Sequence, residues 1–381
     1  MTTAAPRLKV LTVVGTRPEI IRLSAVIKRL DEHTDHVLVH TGQNYDYELN
    51  EVFFEDLGLR RPDHFLQADT SSLGAVLGSI LVRTEEILVS ERPDAMLVLG
   101  DTNSSISAVI AKRMKIPVFH MEAGNRSFDE NVPEETNRRL VDHVADYNLV
   151  YSEHARRNLL AEGLHPSRIF MTGSPMLEVV DQNRAGIAES TILRTEGLAA
   201  GGYFLVSLHR EENVDDLGRL KSILEGLQAV GDAYGLPVLV STHPRTRKRV
   251  DALTLQFDKL VFHKPFGFHD YLALQTSAAL VLSDSGTIAE ESSILEFPAV
   301  TLRDAIERPE AQDTGSILLT GTQPESILRV VAYALSVHRS SEPFPKRPSA
   351  YSVPDTAHRA VSTILSMTPT HHARLSIRTS A

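Results

Sequence analysis

A chain of 381 residues is long for one hydrophobic core, and at roughly 150 residues per domain it predicts two. Hydrophobic residues at 42% and charged residues at 23% exclude the sparse, highly charged composition of a disordered chain. A formal net charge of -10 excludes bulk nucleic-acid binding, and zero cysteines exclude disulfides, thiolate zinc sites and thiol nucleophiles.

No apolar run approaches the roughly 20 residues that cross a bilayer, and the first residues lack the apolar stretch of a secretion signal. The expectation is a cytoplasmic protein with no membrane partner. Short runs rich in Val, Ile and Leu then recur, each closed by Gly, Pro or a polar residue and followed by helical spacing. In the first half they cover 9–15, 36–42, 94–101, 116–122, 146–152 and 169–174. In the second they cover 203–209, 237–243, 260–265, 279–285, 298–303 and 316–321. Uninterrupted apolar runs belong to parallel strands covered by helices on both faces. Two sets of six predict two Rossmann-like domains of an α/β chain, 1–180 and 181–367, with a hinge within 181–202 and a frayed polar tail over 368–381.

Ligands of open α/β sheets bind beyond the carboxyl ends of the strands, so the residues closing each run are the informative ones. The first run ends in Gly15-Thr16-Arg17-Pro18-Glu19: Gly permits a tight turn, the amides face an anion, and Arg17 adds a planar donor fork with Arg22 one helical turn later. Pro18 alone reads as an ordinary helix start. The third run ends in Asp101-Thr102-Asn103, the fourth in His120-Met121-Glu122, and Pro133-Glu134-Glu135 opens a helix. Asp101 alone reads equally as an N-cap. Three acids at one sheet edge, Asp101, Glu122 and Glu134, instead suggest acid and base roles divided within one pocket.

In the second half, His209 and His243 close the first two runs beside arginines, which favours a polyanion. Ser285 and Gly286 precede a helix whose N-terminal amides suit a diphosphate, and Glu291, one turn in, suits ribose hydroxyls. Arg303 and Arg308 close the fifth run as charge-assisted donors. The basic stretch 245–249 reads as a solvated helix start, and His371-His372 takes no role. No motif for a catalytic metal or other cofactor is present.

Taken in order, GTRPE, GDTNS, HMEAGNR, PEETNR, SLHREEN, SDSGTIAEE and RDAIERPE resemble the non-hydrolysing UDP-N-acetylglucosamine 2-epimerases over residues 9–321. The resemblance implies a GT-B-like fold of two facing Rossmann-like domains with a cleft between them, and a homodimer. It also implies that Asp101, Glu122 and Glu134 are the acid/base carboxylates, with His209 beside the leaving diphosphate. Arg17, Arg22, Ser285, Glu291 and Arg308 would bind the UDP part. The implied reaction is C2 epimerisation of a UDP-N-acetylhexosamine by elimination and re-addition of UDP, which supplies surface-polysaccharide precursors.

Residues 43–48, residues 265–271 and Thr287 look more like the branch that forms UDP-N-acetyl-L-fucosamine from its 6-deoxy-L-talose isomer. There Phe266 and Phe268 would meet a 6-methyl group. A GT-B glycosyltransferase needs the same UDP pocket but has no reason for three acids. A hydrolysing epimerase and a non-catalytic UDP-sugar sensor are two further rivals.

Overall fold

The structure is a computed structural model that describes residues 7–42, 47–242, 244–253, 255–339 and 344–378. Its strands are β1 Lys9–Val14, β2 Asp35–His40, β3 His64–Phe65, β4 Ala95–Leu99, β5 Val118–Met121, β6 Tyr147–Val150 and β7 Ile169–Met171 in a first sheet. A second sheet holds β8 Phe204–Leu208, β9 Val238–Thr242, β10 Leu260–His263, β11 Leu280–Ser283, β12 Ala299–Thr301 and β13 Leu318–Leu319. All neighbouring strands pair in parallel, in the orders β3-β2-β1-β4-β5-β6-β7 and β10-β9-β8-β11-β12-β13. Apart from β3, a two-residue edge strand too short to show in the sequence, every strand falls on a predicted run.

The apolar runs explain these sheets. Every residue of β4, β5, β6 and β11 is buried, as expected for strands covered on both faces. The helix Arg17–His33 buries Ile20, Leu23, Val26, Ile27 and Leu30, a helical period that seats it on β1. Apolar cores form around Leu11, Val13, Met96 and Val98 and around Phe204, Val206, Leu224 and Leu282, with a smaller cluster around Val150, Ala155 and Leu159.

The chain divides into two compact units, 1–126 with 132–181 and 352–381, and 127–131 with 182–351. The expected second domain running to 367 therefore needs correction, because the chain after 351 returns to the first unit. There the helix Thr356–Met367 buries Ala357, Ala360, Val361 and Ile364, and packs along Arg17–His33. Its start is pinned by Thr356 Oγ1 donating to the carbonyls of Thr172 and Ser174, and by the Ala357 amide donating to Glu178. Gly173, at φ +80°, leaves no room for a Cβ, since Val353 Cγ2 lies 2.4 Å from where it would sit. Amphipathic spacing announced the helix but carried no information about its partner.

The tail is not frayed over its described part either. His371 is buried with its Nδ1 3.1 Å from the Tyr147 hydroxyl, and 371–374 form a helical turn. Residues 379–381 lie outside the described residues.

Candidate active site

In both sheets the chain winds away in opposite senses from the first and fourth strands of the unit, so the ligand-binding edge lies beyond β1 and β4, and beyond β8 and β11. At the first edge the β1 turn is closed by Glu19, three residues after Thr16 in a capping-box spacing. Its Oε2 accepts from the Gly15 amide at 3.0 Å and from Thr16 Oγ1 at 2.8 Å, while its Oε1 accepts from Ser104 Oγ in the loop after β4. Burial, against which these neutral donors compensate only in part, pushes the Glu19 carboxyl up to about 7.

Asp101 and Glu122 close the adjacent strands β4 and β5, whose register pairs Leu99 with Met121. Glu122 sits in left-handed backbone at φ +64°, an uncommon conformation for a side chain of this kind. Its Oε2 is gripped by Arg22 Nη1, and Asn125 Nδ2 lies 3.5 Å from its Oε1. Asp101 Oδ2 accepts from Arg138 Nε at 3.0 Å and also from Arg138 Nη2. Arg138 rises from the helix Pro133–Val144 and reaches Glu135 Oε2 at 2.6 Å as well. Glu134, half-buried in the first turn of that helix, lies four residues before Arg138 and therefore on the same face. Arg17 lies over the Phe53 ring, 5.4 Å from its centroid.

At the second edge the organising group is Asp284, fully buried after β11. It accepts from the amides of His209 and Arg210, at 3.1 and 2.9 Å, and from Asn213 Nδ2 at 3.2 Å. His209 Nδ1 lies 3.0 Å from its Oδ1. Burial alone would raise the Asp284 carboxyl, but His209 and Arg210 together hold it below the usual aspartate range. In the following turn Ser285 Oγ lies 2.9 Å from Thr287 Oγ1, and the helix Ile288–Leu295 opens with Glu290 and Glu291. Gln275 Nε2 donates to Glu291 Oε2 at 2.6 Å. Arg308 Nε donates to the Gly286 carbonyl at 2.8 Å, and its Nη2 lies 3.2 Å from Glu290.

The structure thus gathers Arg22, Asp101, Glu122 and the Glu134 helix at one edge, and His209, Ser285, Gly286, Glu291 and Arg308 at the other. Its distances change the reading of three arginines. Arg22, expected on the UDP part, holds Glu122 through Nη1. Arg308 is buried and braces the Gly286 carbonyl, and Arg303 forms a two-pronged pair with Glu307 at 2.6 and 2.9 Å.

Phe266 stacks on His263 with centroids 4.2 Å apart and is 8% exposed, and Phe268 is 3% exposed, so both rings are largely packed away. His243 and residues 43–46 lie outside the described residues. Sequence reasoning passed over Glu19, Arg138 and Asp284. The T-x-x-E spacing could have found Glu19, whereas pairing Asp284 with His209 requires knowing that β8 neighbours β11.

A family model described as UDP-N-acetylglucosamine 2-epimerase matches residues 28–365. The UDP-N-acetylglucosamine 2-epimerase of Methanocaldococcus jannaschii is 39% identical over 344 residues, spanning 87% of this chain and 94% of its own. A UDP-N-acetylglucosamine 2-epimerase structure from Rickettsia bellii superposes with a TM-score of 0.91 at 43% identity, over 98% of this chain and 100% of that one. The M. jannaschii enzyme in complex with UDP-GlcNAc and UDP superposes with a TM-score of 0.88 at 36% identity, covering 94% and 100%. The α/β fold is accordingly GT-B-like.

Proposed function

The chain belongs to the UDP-N-acetylglucosamine 2-epimerase family, and from that premise we propose that it interconverts UDP-N-acetylglucosamine and UDP-N-acetylmannosamine without hydrolysis. The observation that carries this reading is the pair of carboxylates on adjacent strand ends, Asp101 and Glu122, each held by its own buried arginine. A glycosyltransferase or a UDP-sugar sensor has no use for them.

The chemistry accounts for that need. C2 of the sugar adjoins no carbonyl, so its hydrogen is not acidic, and the bond from C1 to the diphosphate oxygen must break first. In the forward half the C1–O electron pair leaves with UDP while a carboxylate takes the C2 proton, which forms a C1=C2 double bond. In the return half a proton reaches C2 from the opposite face and the diphosphate oxygen rejoins C1. No electron is gained or lost and no water is consumed. Asp101, Glu122 and Glu134 are assigned to the proton transfers, and His209 to the charge that develops on the departing diphosphate. Arg17, Ser285, Gly286 and Glu291 are assigned to the UDP part, with His243 after β9.

The 6-deoxy-L-sugar alternative draws on residues 43–48, 265–271 and Thr287, and the burial of Phe266 and Phe268 weighs against one part of it, their contact with a 6-methyl group. The working unit is taken to be a cytoplasmic homodimer, which size-exclusion chromatography with light scattering tests. The decisive experiment for the function incubates the protein with UDP-N-acetylglucosamine and, separately, with the 6-deoxy-L-talose nucleotide, and follows products by NMR. The expected product is UDP-N-acetylmannosamine at the higher kcat/KM. Accumulation of free N-acetylmannosamine and UDP would make the enzyme hydrolytic, and a preference for the 6-deoxy sugar would move it to the fucosamine branch.

A further inference from the structure

Asp142 and Asp284 are both buried aspartates facing a histidine, and the two pairs differ in what the histidine has left to offer. His120 lies 2.9 Å from Asp142 through Nδ1, and its Nε2 is 2.8 Å from the Gly100 carbonyl. His120 is fully buried and its Nε2 is already tied to that carbonyl, so its ring has no edge open to a ligand. Among the described residues His209 is held through Nδ1, 3.0 Å from Asp284, and its side chain remains 43% exposed while Asp284 has no exposure at all.

We infer that Asp284 is the positioning residue of the reaction, fixing the His209 ring by Nδ1 so that Nε2 points outward. This rests on the epimerase reading above and on His209 serving the leaving diphosphate. Two main-chain amides and the Asn213 amide lock the carboxylate in place. Asp284 Oδ1 is an acceptor, so a ring nitrogen 3.0 Å away carries the hydrogen, and that nitrogen is Nδ1. With Nδ1 turned to the carboxylate, Nε2 is the ring nitrogen left to face the departing diphosphate. The adjacent charge in the chain is Arg210, which faces Glu307 at 3.7 Å.

The test compares wild type, Asp284→Asn, His209→Asn and the double variant. In Asp284→Asn the amide nitrogen faces Nδ1 and favours the wrong tautomer. We expect kcat to fall about 10²-fold with UDP affinity near wild type, and thermal unfolding to be lowered in both Asp284 variants, because the amides of His209 and Arg210 lose a carboxylate acceptor. The double variant is expected to be no slower than His209→Asn alone, because the two residues act as one. Losses that multiply in the double variant would overturn the inference.

Nitrogen-15 NMR of the wild-type histidines, with the His209 signal assigned by its loss in His209→Asn, reads the same claim without altering Asp284. It expects the proton of the neutral ring on Nδ1, and a ring protonated only on Nε2 would reject the claim. If wild type turns over no UDP-sugar at all, the functional reading fails while the NMR result still decides the tautomer. If wild type is active and Asp284→Asn matches it, only this inference fails.

Discussion

Glu19 and Asp284 occupy equivalent places in the two units, since each bridges the first and fourth strands of its sheet at the point where the winding reverses. Both are buried, yet their charge states diverge. Glu19 meets hydroxyls and an amide and stays protonatable near neutrality, whereas Asp284 meets an imidazole and lies beside a guanidinium and stays ionised. Burial therefore pushes both carboxyls up, and the charge of their donors decides whether that rise survives. The same division runs through both edges: in the first unit arginines hold the working carboxylates, and in the second carboxylates hold the working histidine and bracing arginine.

The severest challenge to this division is to neutralise the first unit's acids. Asp101→Asn, Glu122→Gln and Glu134→Gln are each expected to lower kcat by about 10²- to 10⁴-fold with UDP affinity retained. Near-normal turnover in any two of them would remove the proton-transfer assignment.

Next in size is Arg22→Met, which leaves Glu122 buried beside an apolar side chain. Chemical denaturation is expected to show a loss of about 3 to 5 kcal/mol, as for other buried pairs broken from one side. If UDP affinity falls sharply while stability holds, Arg22 contacts the nucleotide after all.

Changing the pH separates the two carboxylates further. The folded pKa of Glu19 lies above its unfolded value of 4.5, so folding takes up a proton. Its stabilising share is full below about pH 4.5 and is lost as the pH rises through about 7. Glu19→Gln cannot ionise, so its stability relative to wild type should climb across that window by up to about 3 kcal/mol, as read by denaturation at a series of pH values. Asp284 has the opposite sign. Its depressed pKa stabilises above the ordinary aspartate range, and that share is lost as the pH falls through the lowered value.

The smallest effect is expected of Arg308→Ala, which loosens the Gly286 carbonyl rather than removing a direct ligand. Calorimetry should show UDP binding weakened about tenfold, or about 1.4 kcal/mol, and an unchanged affinity would place the UDP-binding turn elsewhere.

The contrast also shows what a single sequence transmits. Strand ends were legible because apolar runs stop abruptly at Gly15, Asp101, Glu122 and His209, and the topology places functional groups there. Partnerships were not. Arg22 and Glu122 are 100 residues apart and Asp284 and His209 are 75 apart, and their pairing follows from strand order, which hydrophobic spacing does not encode. Nor does it encode that Arg22, Arg303 and Arg308 pair with Glu122, Glu307 and Glu290, since the sequence shows them only as arginines near an anion site. The return of the helix Thr356–Met367 to the first unit was hidden likewise, because its apolar face fits any apolar groove until Gly173 and Glu178 supply the close approach and the cap.

Elimination and re-addition of UDP are tested most directly by turnover of UDP-N-acetylglucosamine in deuterated water, with C2 followed by proton NMR. That mechanism predicts that UDP-N-acetylmannosamine forms with solvent deuterium at C2, and that Asp101→Asn and Glu122→Gln suppress epimerisation and deuterium entry together. A product that keeps its original C2 hydrogen would show that C2 is inverted without proton removal, and would contradict a proton-transfer role for both carboxylates.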